Sequence, residues 1–485
     1  MMQGATVQPP RKERRIKPHA AGKKKENNTA SEGLKRARME ASLWAMFCAD
    51  ALSMPVHWYY DTKALQRDYG WITDYQAPKP THPTSIMHLS NTSSAGRLPG
   101  GREGRTSSPS SNSKNKNQTN NKNDEDDDKE VIGRVILHDK KRYWTCGQKN
   151  IHYHHGMRPG ENTLNLLVLR VLLRSVVERG SYDADAFLQR YVEFMTTPGS
   201  HNDTFAEGFH RDFFANYDKG VPLQQCAGKE GHDTASIGGL VMIPAMVMLY
   251  HGDGVEVATD KALQHLRLTH RSQKLEGHVR IFVKLFYQLL TLSPSASSSS
   301  SLQAIMEEAI LALNNLKHSS SSLLHSLRRR QSKEGRKKDA KEEEEEEEEM
   351  EDDDVEMVAK LGMACYIESS LSVVLHLAYK YALFGVSRGE GEGARGLAGA
   401  LIANTNAGGE NCHRGAVLGA VMGAALAHFP SSILEEEATQ KEKRKEKRAK
   451  EIIPKRWLDG LVATEELAKE IRSFVDVALG SFSSL

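Results

Sequence analysis

The chain has 485 residues, with 65 Lys and Arg against 63 Asp and Glu and a net charge of +2. That length allows two or three average domains, and the balanced charge argues against nucleic acid as a partner. Five scattered cysteines without a C-x-x-C pair offer no disulfide framework and favour a reducing, intracellular compartment, with the cytoplasm expected.

The first thirty residues are basic (Arg11, Lys12, Arg14, Arg15, Lys23, Lys24, Lys25) and lack the apolar centre of a secretory signal. Residues 1–30 therefore read as a disordered basic tail, with a nuclear or organellar address as the alternative. Residues 31–485 are interrupted by low-complexity inserts near 91–129, 293–301, 317–354 and 435–452, rich in Ser, Asn or charged runs. Such segments cannot bury enough apolar area to offset their ordering entropy. What remains between them amounts to one domain.

Helical periodicity dominates that remainder. Ser31–Leu52 opens on a capping Ser and stops before Pro55. Trp71–Tyr75 and Val131–Trp144 carry weak strand signals. Leu164–Glu178 sets Leu and Val clusters between Arg170, Arg174 and Glu178, and Gly180 ends it. Asp183–Met195 is amphipathic, and Thr204-Phe205-Ala206-Glu207 has the form of a capping box. Helices are expected next over Ile237–Tyr250, Val255–Leu268, Ser272–Leu292, Leu302–Leu316, Val355–Tyr381, His413–His428 and Thr464–Leu479. The Ile237–Tyr250 run is the longest apolar one, yet it is short for a bilayer and contains Pro244, so no membrane partner is expected. The expected fold is all-α, a single multi-helix bundle. Within His413–His428, Gly415, Gly419 and Gly423 share one face. Glycine weakens a helix, so this stripe implies a second backbone lying very close and a central place for the helix.

One phrase stands before a helix twice: Gly160-Glu161-Asn162-Thr163 and Gly409-Glu410-Asn411-Cys412. The pair could bring two acidic helix starts into one site, whose free N–H groups attract anions; chance is the alternative for so short a repeat. His152, His154 and His155 precede the first copy. A His-x-His pair on an extended segment is a workable metal spacing, and exposed loop histidines are the competing explanation. His201-Asn202-Asp203-Thr204 and Gly231-His232-Asp233-Thr234 form a second near-repeat. Capping accounts for their Asp and Thr; an aspartate lining a pocket would instead serve as general base. His57, before the aromatic run Trp58-Tyr59-Tyr60, suits acid–base work near neutral pH or a place in the core. Arg414, just after Gly408-Gly409, suits a phosphate pocket or a surface ion pair.

Three segments together resemble a known family. Ala49-Asp50-Ala51-Leu52-Ser53-Met54-Pro55-Val56 is similar to the G-D-A-L-G-x-P-V opening of ADP-ribosylglycohydrolases. Gly160–Thr163 stands where that family has T-D-D-T, and Gly408–His413 with the Gly419–Ala424 stretch resembles its G-G-D-T-D-T and glycine-rich helix. Thr269-His270 is similar to a Thr-His pair of the family. The resemblance implies an all-α bundle that cleaves a glycosidic bond at the ribose of an ADP-ribosyl group. It implies Mg²⁺ or Mn²⁺ as cofactor and small-molecule or protein-linked ADP-ribose as partner.

Carried over residue by residue, it gives His57, Glu161 and Glu410 catalytic roles. Asp50, Gly408 and Gly409 would contact substrate; Arg414 and Asp233, read from their places at helix starts and not from the resemblance, would join them. Glu161, Asn162, Thr163, Glu410, Cys412 and His413 would hold metal. The sequence departs from the family at each motif: His57 replaces a glutamate, Glu161-Asn162 an Asp-Asp pair, and Cys412 and His413 an acidic residue and a threonine. Magnesium wants hard oxygen ligands, whereas Cys and His suit softer transition metals. Two rival expectations follow: a non-catalytic nucleotide-binding or structural member, and a transition-metal hydrolase on the same scaffold.

Overall fold

The computed structural model describes residues 21–85, 87, 131–145, 148–231, 234–293, 298–316, 354–387, 396–427 and 452–480. The first twenty residues, nearly all of the expected inserts near 91–129, 317–354 and 435–452, residues 294–297 of the serine insert, and Asp233 lie outside these. Helix α1 spans Ala21–Ser53, so it begins upstream of Ser31, which is therefore no N-cap. Pro55 ends it through a 3-10 turn, Met54–Val56. Helix α2, Thr62–Tyr69, is capped by Asp61, whose side chain accepts from the Lys63 and Ala64 amides.

Among the described residues there are isolated bridges and no strand. The two strand signals are corrected. Ile72 pairs its backbone with the Asn406 side chain, its N–H donating at 2.8 Å and its carbonyl accepting at 2.9 Å. The second stretch turns instead through His138–Lys140 and Lys141–Thr145.

Helix α3, Leu164–Arg179, ends at Gly180 as its periodicity requires. Helix α4 is Ala184–Thr196, capped by Asp183. Helix α5, Gly208–Asp218, does not start on the expected capping box. Thr204 gives its hydroxyl to the His155 carbonyl, and Glu207 accepts from Asn165 instead of capping. The Ile237–Tyr250 run splits into a 3-10 turn, Ile237–Leu240, and helix α6, Ile243–Leu249, with Pro244 in its first turn. Helix α7 is Val255–Leu266 and α8 is Gln273–Thr291, capped by Ser272. Helix α9, Ser299–Leu316, starts inside the serine run. The expected Val355–Tyr381 helix is broken at Gly362, leaving 354–361 and α10, Ile367–Ser387. Helix α11, Gly396–Asn406, escaped the sequence pattern; α12 is Asn411–Leu426 and α13 is Thr464–Ala478.

Every residue of α12 is buried. A helix that is apolar all round belongs at the centre of a bundle. Helices α1, α8, α10 and α11 pack around it. The glycine stripe explains how closely α1 approaches. A Cβ on Gly419 would lie 2.6 Å from the Ala45 carbonyl oxygen, and one on Gly423 would lie 2.5 Å from the Ser42 Cα. Ser42 Oγ then donates to the Ala420 carbonyl at 2.9 Å. On the outside, α13 covers α3, where Glu470 accepts from both Arg170 and Arg174. No described helix is long and apolar enough to cross a membrane.

Candidate functional site

The end of α1 and the start of α12 meet through their backbones. Trp58 N–H donates to the Gly409 carbonyl at 2.8 Å, and Gly409 N–H donates to the Tyr59 carbonyl at 2.7 Å. Gly408 and Gly409 have φ of 66° and 65°. A Cβ on either would stand 2.3 Å from a backbone oxygen, that of Tyr59 or Met363. The two glycines thus serve backbone approach between α1 and α12.

That junction sets His57 against Glu410. His57 Nε2 lies 3.0 Å from Glu410 Oε1, and Trp58 Nε1 donates to Glu410 Oε2 at 2.5 Å. Trp58 has φ of 64°, a left-handed backbone rare for a bulky residue, and its ring stacks on His57 at 3.8 Å. The other His57 nitrogen, Nδ1, faces His154 Nε2 at 2.8 Å. His154 Nδ1 in turn meets Asp203 Oδ1 at 2.8 Å, and Asp203 Oδ2 accepts the Leu164 amide at the start of α3. On the far side, His413 Nδ1 makes ion-pair contacts with Glu410 Oε1 at 2.8 Å and Glu207 Oε1 at 3.1 Å. A buried chain therefore runs Asp203–His154–His57–Glu410–His413–Glu207.

Charge is strongly redistributed along it. Burial lowers His57 to about 4 despite the Glu410 carboxylate. Burial opposes ionisation of Glu410, but His57 and His413 prevail and hold it well below the usual carboxylate range. Burial also works against the His413 cation, yet Glu207 and Glu410 raise it to about 10. Asp203 is lowered because His154 outweighs its burial.

Other expected site residues sit elsewhere. Glu161 Oε2 accepts the Arg158 amide at 2.7 Å and the Asn202 amide group at 3.0 Å, and its Oε1 pairs with the Arg158 guanidinium. It takes no part in the chain through Glu410. Asn162 donates to Asp50 and to the Phe47 carbonyl, and Thr163 gives both amide and hydroxyl to Asp50. Asp50, whose burial raises it above the usual range even so, is thereby a clamp between α1 and α3. Arg414 is fully buried and binds Asn404 and the Gly408 carbonyl at the end of α11, so it makes no surface ion pair. His152 uses both nitrogens on the Pro55 carbonyl and the His154 amide. Tyr59 is buried, while Tyr60 is exposed. Glu207 is the functional candidate that sequence reasoning missed; its capping-box appearance hid it.

This donor set does not fit a pair of hard dications. Glu161 is neutralised by Arg158, Asn162 and Thr163 present donors to Asp50, and Glu410 already accepts from two rings. What converges is nitrogen and sulfur: His57, His154 and Cys412 form one group with ligand atoms within 4.8 Å, and His57, Glu410 and His413 another.

The all-helical bundle, with α1 and α12 joined by glycine contacts at a polar junction, defines the class of protein. The ADP-ribosylglycohydrolase family profile matches residues 125–480, most of the chain, and the protein belongs to that family, which is generally hydrolytic. A solved structure described as an ADP-ribosylglycohydrolase-related protein complex aligns with 14% identity and a TM-score of 0.45, over 92% of this chain and 99% of that one. No curated protein matches. The profile begins after residue 124, so α1 and His57 lie outside the matched stretch although they complete the site.

Proposed function

We propose that the chain hydrolyses a glycosidic bond at the ribose of an ADP-ribosyl group carried by a protein or small molecule. The observation that supports this is the His57–Glu410 contact. It joins the first and last family-like motifs where His57 replaces the family's glutamate, and keeps a carboxylate there. Glycosidic cleavage develops positive charge on the sugar. Ionised Glu410, held by His57 and Trp58, is placed to offset that charge. Both ring nitrogens of His57 are engaged, so it is a positioning residue for Glu410 and not the acid–base group itself.

The Glu207 side chain is 17% exposed against 1% for Glu410, so substrate approaches from the Glu207 side. Glu207 takes the proton of the attacking water. The His413 cation between the two carboxylates suppresses their repulsion. The test is release of free ADP-ribose from arginine-, serine- and acyl-linked substrates, followed chromatographically. Wild-type protein should release it, and Glu207→Gln should slow turnover by about 10²–10⁴-fold. Absence of release by folded protein on every linkage, with and without added metal, would overturn the reading.

A second reading, a nucleotide-binding member without catalysis, is favoured by the burial of Glu410, whose side chain is 1% exposed. Saturable ADP-ribose binding in calorimetry, unchanged by EDTA and without turnover, would support it.

A further inference from the structure

The His57–His154 contact holds more than a hydrogen bond between two rings. Each ring has its outer nitrogen against a carboxylate: His154 Nδ1 on Asp203 at 2.8 Å, His57 Nε2 on Glu410 at 3.0 Å. The inner nitrogens, His57 Nδ1 and His154 Nε2, face each other across 2.8 Å, a place that takes one proton or one metal ion. Carboxylates on the outer nitrogens of facing imidazoles are also the arrangement that orients metal-binding histidines.

A third donor stands beside them. The Cys412 sulfur is within 4.8 Å of a nitrogen of each of the two rings. It is fully buried against Met54 and Met157, and its one polar contact is a long 3.8 Å approach to the Asp50 carbonyl.

We propose that His57 Nδ1, His154 Nε2 and Cys412 Sγ bind one transition-metal dication of the zinc class, with a fourth position open. The thiol proton is released to solvent as the metal–sulfur bond forms. A tetrahedral ion with nitrogen at about 2.0–2.1 Å and sulfur at about 2.3 Å needs ligand atoms roughly 3.3–3.6 Å apart, so the imidazoles part by about half an ångström. His57 keeps Glu410 through Nε2, so the site is compatible with the hydrolase reading but does not depend on it.

The test is cobalt(II) titration of the full-length protein after chelator treatment, read by absorption. One Co²⁺ per chain should bind with a near-ultraviolet thiolate-to-metal band, and millimolar Mg²⁺ should not displace it. Cys412→Ser should lose the band, and Asp203→Asn, which leaves all three ligands in place, should weaken binding by about 10–100-fold. Circular dichroism checks that each variant is folded. A folded wild type that binds no cobalt would overturn the proposal and assign the bridge to a proton. A thiolate band that survives Cys412→Ser would overturn it as well.

Discussion

Trp58 is the residue where local strain and site geometry coincide. A left-handed backbone costs a bulky side chain about 1–3 kcal/mol, and here it directs the indole N–H at Glu410 while the ring covers His57. The sequence made His57 and Glu410 legible because each follows a family-like phrase. Glu161 misled for a local reason: Arg158 lies three residues before it and captures its carboxylate, whereas Glu410 meets imidazoles brought in from elsewhere in the chain. No spacing rule reveals such a long-range partner. The charge on His413 gives the residue-scale prediction, for metal-free protein. His413 rises from 6.5 to about 10 on folding, so its stabilisation is complete below pH 6.5 and is lost as pH climbs through 10. His57 falls from 6.5 to about 4, so the unfolded chain takes up that proton first and stability drops as pH falls from 6.5 towards 4. His413→Gln should therefore flatten the alkaline limb of urea midpoints measured against pH and keep the acid limb. An alkaline limb identical to that of the wild type would remove the assigned charge from His413.

At the level of elements, periodicity located the long amphipathic helices well, since one apolar face against the core imposes its spacing on the sequence. Helix α11 was missed because its small and apolar residues are buried on all sides and carry almost no periodic signal. The break at Gly362 was missed because α10 continues the apolar run beyond it. The glycine stripe was the clearest element-scale signal, and its expectation of a close second backbone holds for Gly419 and Gly423 against α1. Gly415 differs: its nearest neighbour is the Asn404 side chain, at 2.7 Å from an added Cβ. Gly419→Ala and Gly423→Ala should each destabilise by about 1–3 kcal/mol through overpacking. The control is Gly252→Ala, where an added Cβ meets nothing within 4 Å. Chemical unfolding of the three variants decides the point, and a Gly419→Ala midpoint matching that of Gly252→Ala would mean α1 and α12 are not in backbone contact.

Across the whole molecule, the site is assembled from residues 50–58, 152–163, 203–207 and 408–414, so nothing short of the complete bundle can form it. The C-terminal segment shows how far this dependence reaches. The Val462 amide donates to the Gly160 carbonyl at 3.0 Å, and a Cβ on Gly160 would lie 2.0 Å from the Gly460 carbonyl oxygen. The last helices therefore pin the loop that leads into Asn162, Thr163 and the Asp50 clamp. Beyond residue 453 the chain buries Trp457, Leu461, Leu467, Ile471, Phe474 and Val475. At about 1.5–3 kcal/mol for each side chain, these six contribute roughly 9–18 kcal/mol, against a net stability of about 5–15 kcal/mol for a whole domain. A chain ending at Ile453 should thus lose cooperative unfolding altogether, while Glu470→Ala, which removes only the partly exposed ion pairs on α3, should shift the midpoint and keep the transition sharp. The two are separated by urea titration followed by circular dichroism. A truncated chain that still unfolds in one steep transition would show that the central bundle folds without its C-terminal cover, and that α1 with Asn202 and Asp203 suffices to hold the Gly160 loop.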